Sequence, residues 1–544
     1  MKKYHLLLLS ILSGLLMAAA WPMRGFPGLL FAGFVPLLIV EDFIYRHPEK
    51  FIKFSLFFYS YPAFLIWNGL TTWWIYNSTG VGALVAIAVN ALFMMIIFQL
   101  FHFTRRKLKN DLSAYAALIF YWMAFEYLHL NWDLNWPWLN IGNGFSSYYR
   151  WVEWYEYTGT FGGTLWVLVA NILLFFIIYP GSFRFKQPSI KFKIKDFILI
   201  LVFLAWIFVP LIISDSIYHS YKEKSNPVTI VVVQPNLDPY KEQYTVPPVE
   251  VVGKIMKLAE PYLDSNTNFL VAPESAIQEY MWENDINTFK SIALLKDILK
   301  QYPKLNLLVG ASTRHEFGPG EEVSNTARKY TDADIYYDEY NSAILLNSRD
   351  SIQLYHKSKL TPGVEILPTY KHFKLLEKLA INMGGTVGSL GTDKIRKVFT
   401  TVNTCRISPI ICYESIFGEF FSEFVKNGAE VMMIITNDGW WGNTAGHRQH
   451  FSFAALRAIE TRRSIARSAN TGISAFIDQR GDSHQVTAYW EPAAIKGVLN
   501  ASDRLTFYVR HGDYLARIAT ICGGIIFLLS LLMHFTHKKR IFYK

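Results

Sequence analysis

The sequence predicts a two-part fold: a polytopic α-helical membrane domain of about eight transmembrane helices, joined to a layered α/β domain. Three observations predict it. Charged residues are only 18% of the 544 and hydrophobic residues 51%, against roughly 25% charged in soluble domains. Long apolar stretches crowd the first 214 residues and recur once near the C-terminus. Between them, residues 215–514 alternate short apolar β-rich runs with helix-like segments. The division expected is therefore 1–214 (seven membrane helices), 215–514 (the α/β domain) and 515–544 (an eighth helix and a basic tail).

The apolar stretches lie near 5–21, 26–45, 54–76, 81–103, 113–130, 162–180, 196–214 and 515–535. Each, at about 20 residues, can cross a hydrocarbon core of roughly 30 Å. The first could instead be a signal peptide, since Lys2 and Lys3 precede a run ending in MAAAW. An uncleaved span is preferred, because further spans follow closely and the loop charges then alternate. With the N-terminus cytoplasmic, one set of loops carries Arg46, Lys50 and Lys53, then Arg105, Arg106, Lys107 and Lys109, then Arg184, Lys186, Lys191, Lys193 and Lys195. The tail adds Lys538, Lys539, Arg540 and Lys544, while the intervening loops hold only Arg24 and Arg150. The net charge of +10 is thus a topology signal, and nucleic-acid binding loses its main support. Residues 215–514 fall on the non-cytoplasmic side. The outward loop 131–159 is packed with tryptophans, including Trp132, Trp136, Trp138, Trp151 and Trp154. It reads both as an interfacial aromatic belt and as a platform shaping lipid entry, with Trp136 and Trp138 as lipid contacts.

In the α/β block, strands are expected at 228–236, 268–275, 305–313, 341–347, 407–415, 431–438 and 472–478, and helices at 247–263, 289–302, 418–428 and 448–469. Near-continuous apolar strands alternating with helices indicate sheets buried by helical layers. Residues 316–334, rich in Gly, Pro and charge, read as a surface excursion.

Reactive residues sit where these strands end. Glu274, in FLVAPES, follows an apolar run and a proline. Desolvation there would raise its pKa toward the range of a general base; the plainer reading is a loop or helix-start carboxylate. Lys357, in QLYHK, follows an alternating strand and can stabilise an oxyanion or stay a surface charge. Lys359 competes, sharing a face with Lys357 if the strand continues. Glu365, beyond the Pro362–Gly363 turn, offers a second carboxylate. Cys412, in SPIICYES, ends an apolar strand before a helix, where a cation or base favours the thiolate and helix N–H groups suit an oxyanion; as a lone cysteine it equally reads as buried core. The other cysteines, Cys405 and Cys522, give no disulfide framework, and all three are expected as free thiols. His447 and His450, in HRQH, lack partners at ligand spacing, so no metal is expected. No cofactor fingerprint is evident.

Taken in order, Glu274, Lys357 and Cys412 in PES, YHK and CYE resemble the Glu–Lys–Cys set of the carbon–nitrogen hydrolase (nitrilase) superfamily. TNDGWWG (436–442) and the arginine-rich stretch 456–472 look like its continuation. With seven spans before and one after, with VVVQPNLDPY (231–240) and with WPWLNIG (136–142), the whole chain resembles the apolipoprotein N-acyltransferase family. One departure stands out: TPGVE replaces the family's VPFGE-type segment after the lysine. The resemblance implies an α-β-β-α sandwich in the periplasm of a bacterial inner-membrane enzyme, both termini cytoplasmic, with no cofactor and working as a monomer. It implies acyl transfer from a membrane phospholipid, through a thioester on Cys412, to the α-amino group of a diacylglyceryl-cysteine apolipoprotein. Glu274 would be the base and Lys357 the oxyanion stabiliser. Glu365 would orient them, and Tyr413 and Glu414 would hold the nucleophile's turn. Trp440 and Trp441 read as a gate for the acyl chain or equally as core. A membrane-tethered amidase or nitrilase is the alternative enzyme, and a lipoprotein-binding or transport scaffold the non-enzymatic one.

Overall fold

The computed structural model describes residues 1–108, 110–179, 194–330, 333–349, 352–366, 389–402 and 405–542. Of the basic loop residues, Lys109, Arg184, Lys186, Lys191, Lys193 and Lys544 lie outside the described residues, as do 180 and 331–332 of the predicted segments. The chain forms two compact units. One comprises Met1–Tyr76, Gly80–Ser220 and Asp513–Lys544; the other Asn77–Thr79 and Tyr221–Gly512.

The first unit is helical. All eight apolar stretches fall on helices, and among the described residues five segments are long and apolar enough to cross a membrane: Pro27–Arg46, Gly80–Leu108, Thr160–Ile178, Asp196–Ser220 and Tyr514–Thr536. The others are Lys3–Ala19, Phe57–Thr72 and the 20-residue Asp111–Leu130. Protein covers only 6% of the apolar window in Asp196–Ser220 and 17% in Tyr514–Thr536. Apolar helix faces bare of protein suit lipid rather than water. The second stretch is broken, running as Pro27–Leu29, Leu30–Gly33 and Val35–Arg46. Asn171 repairs the break: its Oδ1 accepts from Phe34 N (2.8 Å) and its Nδ2 donates to Leu30 O (2.7 Å). Arg105, read above as a loop charge, is instead fully buried, paired with Glu41 (2.5 Å), Asp42 (2.7 Å) and Asp111 (3.1 Å).

The second unit is built on two sheets. Its strands are β1 (Pro227–Gln234), β2 (Phe269–Val271), β3 (Ile277–Trp282), β4 (Asn306–Glu316), β5 (Arg328–Lys329), β6 (Tyr336–Asn347), β7 (Gln353–His356), β8 (Ile407–Ile411), β9 (Val431–Thr436), β10 (Ile465–Ala469), β11 (Ala475–Ile477), β12 (Ser483–His484) and β13 (Ala493–Asn500). The first sheet runs β13-β1-β2-β4-β6-β5, with β3 also on β4 and β7 also on β6; the second runs β12-β11-β10-β9-β8. β1, β2 and β4 are mutually parallel, as are β8, β9 and β10. Every residue of β8, β9 and β10 is buried, as continuous apolar strands covered on both faces require. The sheets meet through Ser468 Oγ, which donates to Val233 O (2.8 Å), and Ser474 Oγ, which donates to Gln234 Oε1 (2.8 Å). Helix Pro248–Ala259 turns Val251, Val252, Ile255 and Ala259 onto the first sheet, and Lys290–Leu299 adds Ile292, Leu295 and Leu299. Helices Gly418–Lys426 and Ala445–Thr461 cover the second. The result is the α-β-β-α sandwich.

Three expectations need correction. The predicted helix 448–469 is a helix only to Thr461; Arg462 turns left-handed (φ 48°) and β10 follows. The arginines past its end are buried and spent on carbonyls: Arg462 Nη1 on Gln479 O (3.0 Å), Arg463 Nε on Ala429 O (2.8 Å) and Arg467 Nη1 on Ile473 O (2.7 Å). β3 and β13 escape the sequence reading because half-buried strands such as IQEYMW and AAIKGVLN show no apolar run. Finally, β7 stops at His356, so Lys357 and Lys359 do not share a strand face.

Candidate active site

Glu274, Lys357 and Cys412 converge, each from the C-terminal end of a different strand. Glu274 leaves the end of β2 in the turn APES, and β4 presses against it. A Cβ on Gly310 would stand 2.6 Å from Glu274 Cα and from Ser275 N, so only glycine permits this approach. Glu274 is buried, at 6% exposure. Its Oε1 accepts from Asn341 Nδ2 (2.8 Å) and Lys357 Nζ (2.9 Å), and its Oε2 from Asn437 N (3.0 Å).

Lys357 follows β7 directly and is 2% exposed. Its ammonium also reaches Glu365 Oε1 (2.9 Å), and its backbone N donates to Asn341 O (2.8 Å). Burial opposes the charge, but the facing carboxylates of Glu274 and Glu365 outweigh it and hold the lysine well above its ordinary value. Burial likewise works against Glu365, where Lys357 wins and keeps the carboxyl low, helped by Thr361 N on Oε2 (2.9 Å). TPGVE therefore still delivers its carboxylate to the lysine. Lys359 goes elsewhere, its ammonium 4.8 Å from the centroid of the Phe417 ring.

Cys412 is the first residue past β8, with φ 50°. A non-glycine residue in this region stores strain that the surrounding structure must hold. A short 3₁₀ turn, Cys412–Ile416, follows, so a full helix begins only at Gly418. Burial pushes the thiol well up, the charge of Glu274 adds to this, and Lys357 pulls the other way. The surroundings thus favour the protonated thiol over the thiolate. Glu414 fastens the turn to the lysine's loop: Oε2 accepts from Ile411 N (2.8 Å), and Oε1 from Tyr355 OH (2.6 Å) and Ser358 N (2.7 Å). Tyr413 is buried with its ring edge-on to Phe417 at 5.2 Å.

Behind the nucleophile lies a network the sequence reading did not assemble. His450 Nδ1 meets Asp438 Oδ1 (2.9 Å), and its Nε2 meets Cys412 O (3.1 Å) and Ser415 Oγ (2.9 Å). Thr436 Oγ1 donates to Asp438 Oδ1 (2.8 Å) and also contacts the Cys412 sulfur. Cys412, Asp438 and His450 bring possible metal-ligand atoms within 4.8 Å of one another. The donor set fits a metal poorly, because the buried Arg467 guanidinium already supplies the cation, 2.8 Å from Asp438 Oδ2 and 3.2 Å from His450 Nδ1. Asn437 and Asp438 had a signal: the apolar strand VMMIITND runs out in polar residues beside the strand of Cys412, where open α/β sheets build sites.

The tryptophans divide. Trp441 abuts the His450 ring edge-on at 5.7 Å, and Trp440 packs on Tyr240 at 5.0 Å. Trp136 and Trp138 belong to the helical unit, stacked on each other at 5.7 Å, with Trp138 buried against Trp74. Trp138 is interior packing rather than a lipid-facing ring.

Comparison with known proteins matches residues 13–173 to the apolipoprotein N-acyltransferase N-terminal domain and residues 230–495 to the carbon–nitrogen hydrolase domain. An apolipoprotein N-acyltransferase of Chlorobaculum tepidum is 28% identical over 96% of this chain and 96% of its own length. One of Geobacter metallireducens is 26% identical over 96% and 95%. Among solved structures, Saccharomyces cerevisiae Nit3, a member of branch 10 of the nitrilase superfamily, is 14% identical with a TM-score of 0.37, covering 52% of this chain and 93% of its own.

Proposed function

Because this chain belongs to the apolipoprotein N-acyltransferase family, we propose that it N-acylates lipoproteins with Cys412 as nucleophile, Glu274 as general base and Lys357 as oxyanion stabiliser. The chain is a membrane enzyme acting on a lipoprotein acceptor with a lipid donor. In the first half-reaction the Cys412 sulfur attacks a phospholipid ester carbonyl while Glu274 takes the thiol proton. Lys357 holds the tetrahedral oxyanion. The intermediate expels the lysophospholipid alkoxide, which takes the proton from Glu274, and a thioester remains. In the second, the α-amino group of the diacylglyceryl-cysteine attacks the thioester, again losing a proton to Glu274. Cys412 leaves as the thiolate and is reprotonated, and an amide has replaced the thioester.

The observation that carries this reading is the cation shared by two carboxylates, Lys357 Nζ at 2.9 Å from both Glu274 and Glu365. One positive charge between two negative ones leaves a single negative charge in excess. Glu274 is the carboxylate whose charge bears on the Cys412 thiol, so Glu365 fixes the lysine and Glu274 is placed to accept the proton. A lysine held well above its ordinary value cannot serve as the base and acts through charge alone. A neutral buried thiol requires its proton to leave as the carbon–sulfur bond forms. Tyr413 and Glu414 hold the nucleophile's turn, and Trp441, beside His450, lines the approach of the acyl chain.

Alternation of basic loops supports a bacterial inner-membrane placement with both termini cytoplasmic and residues 215–514 periplasmic. The test is intact-protein mass spectrometry after incubation with phospholipid. An acyl adduct on Cys412, removed by hydroxylamine and transferred to a diacylated peptide amine, is expected. Amide hydrolysis with no adduct from phospholipid would instead establish the membrane-tethered amidase.

A further inference from the structure

The residue before Lys357 carries a second ionic assembly that the mechanism above does not use. His356 closes β7 and is buried, at 8% exposure. Its Nε2 lies 2.8 Å from Glu283 Oε1 and its Nδ1 3.2 Å from Asp393 Oδ1, while its backbone N donates to Asp393 Oδ2 (3.0 Å). A neutral imidazole has one N–H, and an ionised carboxylate only accepts. A ring with a carboxylate on each nitrogen is satisfied on both sides only as the imidazolium. The Tyr340 ring stacks on it at 3.9 Å and 20°, a cation-favouring face. The assembly is braced from every side: Thr313 Oγ1 donates to Glu283 Oε1 (2.8 Å), Lys397 Nζ pairs with Asp393 Oδ2 (2.9 Å), and Ser358 Oγ donates to His356 O (2.8 Å) and accepts from Asp393 N (3.0 Å).

We propose that His356 is a positioning residue for Lys357: as an imidazolium clamped between Glu283 and Asp393 it fixes the end of β7, and acylation of Cys412 slows when that imidazolium loses its proton. The proposal rests on the role given to Lys357 above. Among the described residues, the other charged or titratable groups facing the clamp are His315, 3.9 Å from Glu283 Oε2, the Tyr340 phenol with Asp338 at 3.4 Å, Lys397, and Arg396, whose Nη2 donates to Asp393 O (2.9 Å). Burial disfavours the charge on His356, but Asp393 and Glu283 outweigh it and raise its pKa. Burial is likewise outweighed at the carboxyls, leaving Glu283 low and Asp393 at about 2. The sign follows. The clamp is complete below the ordinary histidine value of about 6.5 and is lost as pH rises through the raised one.

The test follows the single-turnover rate of thioester formation on Cys412 against pH, in the full chain reconstituted with a diacyl phospholipid. This half-reaction contains no acceptor amine to titrate. The wild-type rate is expected to fall on an alkaline limb. Glu283→Gln removes one carboxylate and should move that limb down by about one pH unit or more. His356→Asn should abolish the limb and lower the rate about tenfold at neutral pH. Nitrogen-15 spectra of histidine-labelled protein should show both ring nitrogens of His356 protonated at pH 7, assigned by their disappearance in His356→Asn. Should that variant not fold, Glu283→Gln, which should shift the same resonances, supplies the assignment. Superimposable pH profiles for wild type and Glu283→Gln, or a neutral His356 ring at pH 7, overturn the inference. Undiminished acylation in Lys357→Ala would overturn the underlying reading instead, so the two failures are told apart.

Discussion

The two sheets of the α/β unit contribute opposite halves of one site. The second sheet brings Cys412 at the end of β8, a strand with every residue buried, and the thiol it presents is neutral. The first sheet brings Glu274 from β2 and Lys357 from β7, joined in a four-residue cluster with Glu365 and Asn341. The difference follows from dielectric cost. A single charge in an apolar pocket is expensive, so the sulfur keeps its proton. Charges that neutralise and hydrogen-bond one another are tolerated, so the Lys357 ammonium and the Glu365 carboxylate are held in their charged forms. On the proposed mechanism a proton acceptor on one sheet faces a proton donor on the other, and the sulfur gains nucleophilicity only as the proton crosses.

Removing the neutral half should cost most. Cys412→Ala is expected to abolish the acyl adduct and reduce transfer by roughly 10⁴-fold or more, read by mass spectrometry and by transfer to a diacylated peptide. On the charged half, Lys357→Ala should cost about 10² to 10³-fold in the acylation rate, the scale of losing one oxyanion donor. Lys359→Ala should stay within roughly twofold, because Lys359 lies on the Phe417 ring and not on Glu274. Activity surviving in the first and lost in the second would reverse the assignment.

The neutral half was also the more legible. Apolar strands such as PIIC and VMMIIT announce a buried parallel sheet by composition alone, and a cysteine ending one of them stands out. The charged half was legible only as separate residues. PES, YHK and TPGVE each read as loops with a charge, and nothing local says that Lys357 rather than Lys359 turns inward. That depends on β7 stopping at His356 and on Asn341, on the neighbouring strand β6, presenting its amide to both carboxylates. His450 and Arg467 were harder still, since both fall inside the predicted helix 448–469, which in fact divides into a helix and β10. The helical spans were visible by length and hydropathy, but the break at Gly33–Val35 was not, because its repair comes from Asn171, far along the chain.

Between the halves, Gly310 sets the spacing. Its strand passes so close to the Glu274 turn that Gly310→Ala forces backbone against backbone, with no flexible side chain to yield. The expected result is a tenfold to roughly 100-fold loss of acylation rate from displacing the base, with slower alkylation of Cys412 by small thiol reagents, because its proton acceptor is displaced too. Alkylation at the wild-type rate would mean that the thiol does not depend on Glu274.

The smallest effect isolates the charged half from the chemistry. Asp393 does not touch Glu274, Lys357 or Cys412; it serves His356. Burial alone would raise its carboxyl, but the His356 bonds and Lys397 outweigh it and leave it at about 2, below the ordinary value of about 3.9. A depressed carboxyl contributes stability above its unfolded value that is lost as pH falls through the folded one. Wild type should therefore lose stability between about pH 4 and pH 2 relative to Asp393→Asn, which has no charge there to lose. The full shift corresponds to about 2 kcal/mol, and the partial exposure of the group reduces this to about 1 kcal/mol. Comparing the two proteins by chemical denaturation at pH 5 and pH 3 reads the difference directly. Equal acid sensitivity would mean that Asp393 gains nothing from His356, and the charged half would then end at Lys357 rather than extend through the strand that carries it.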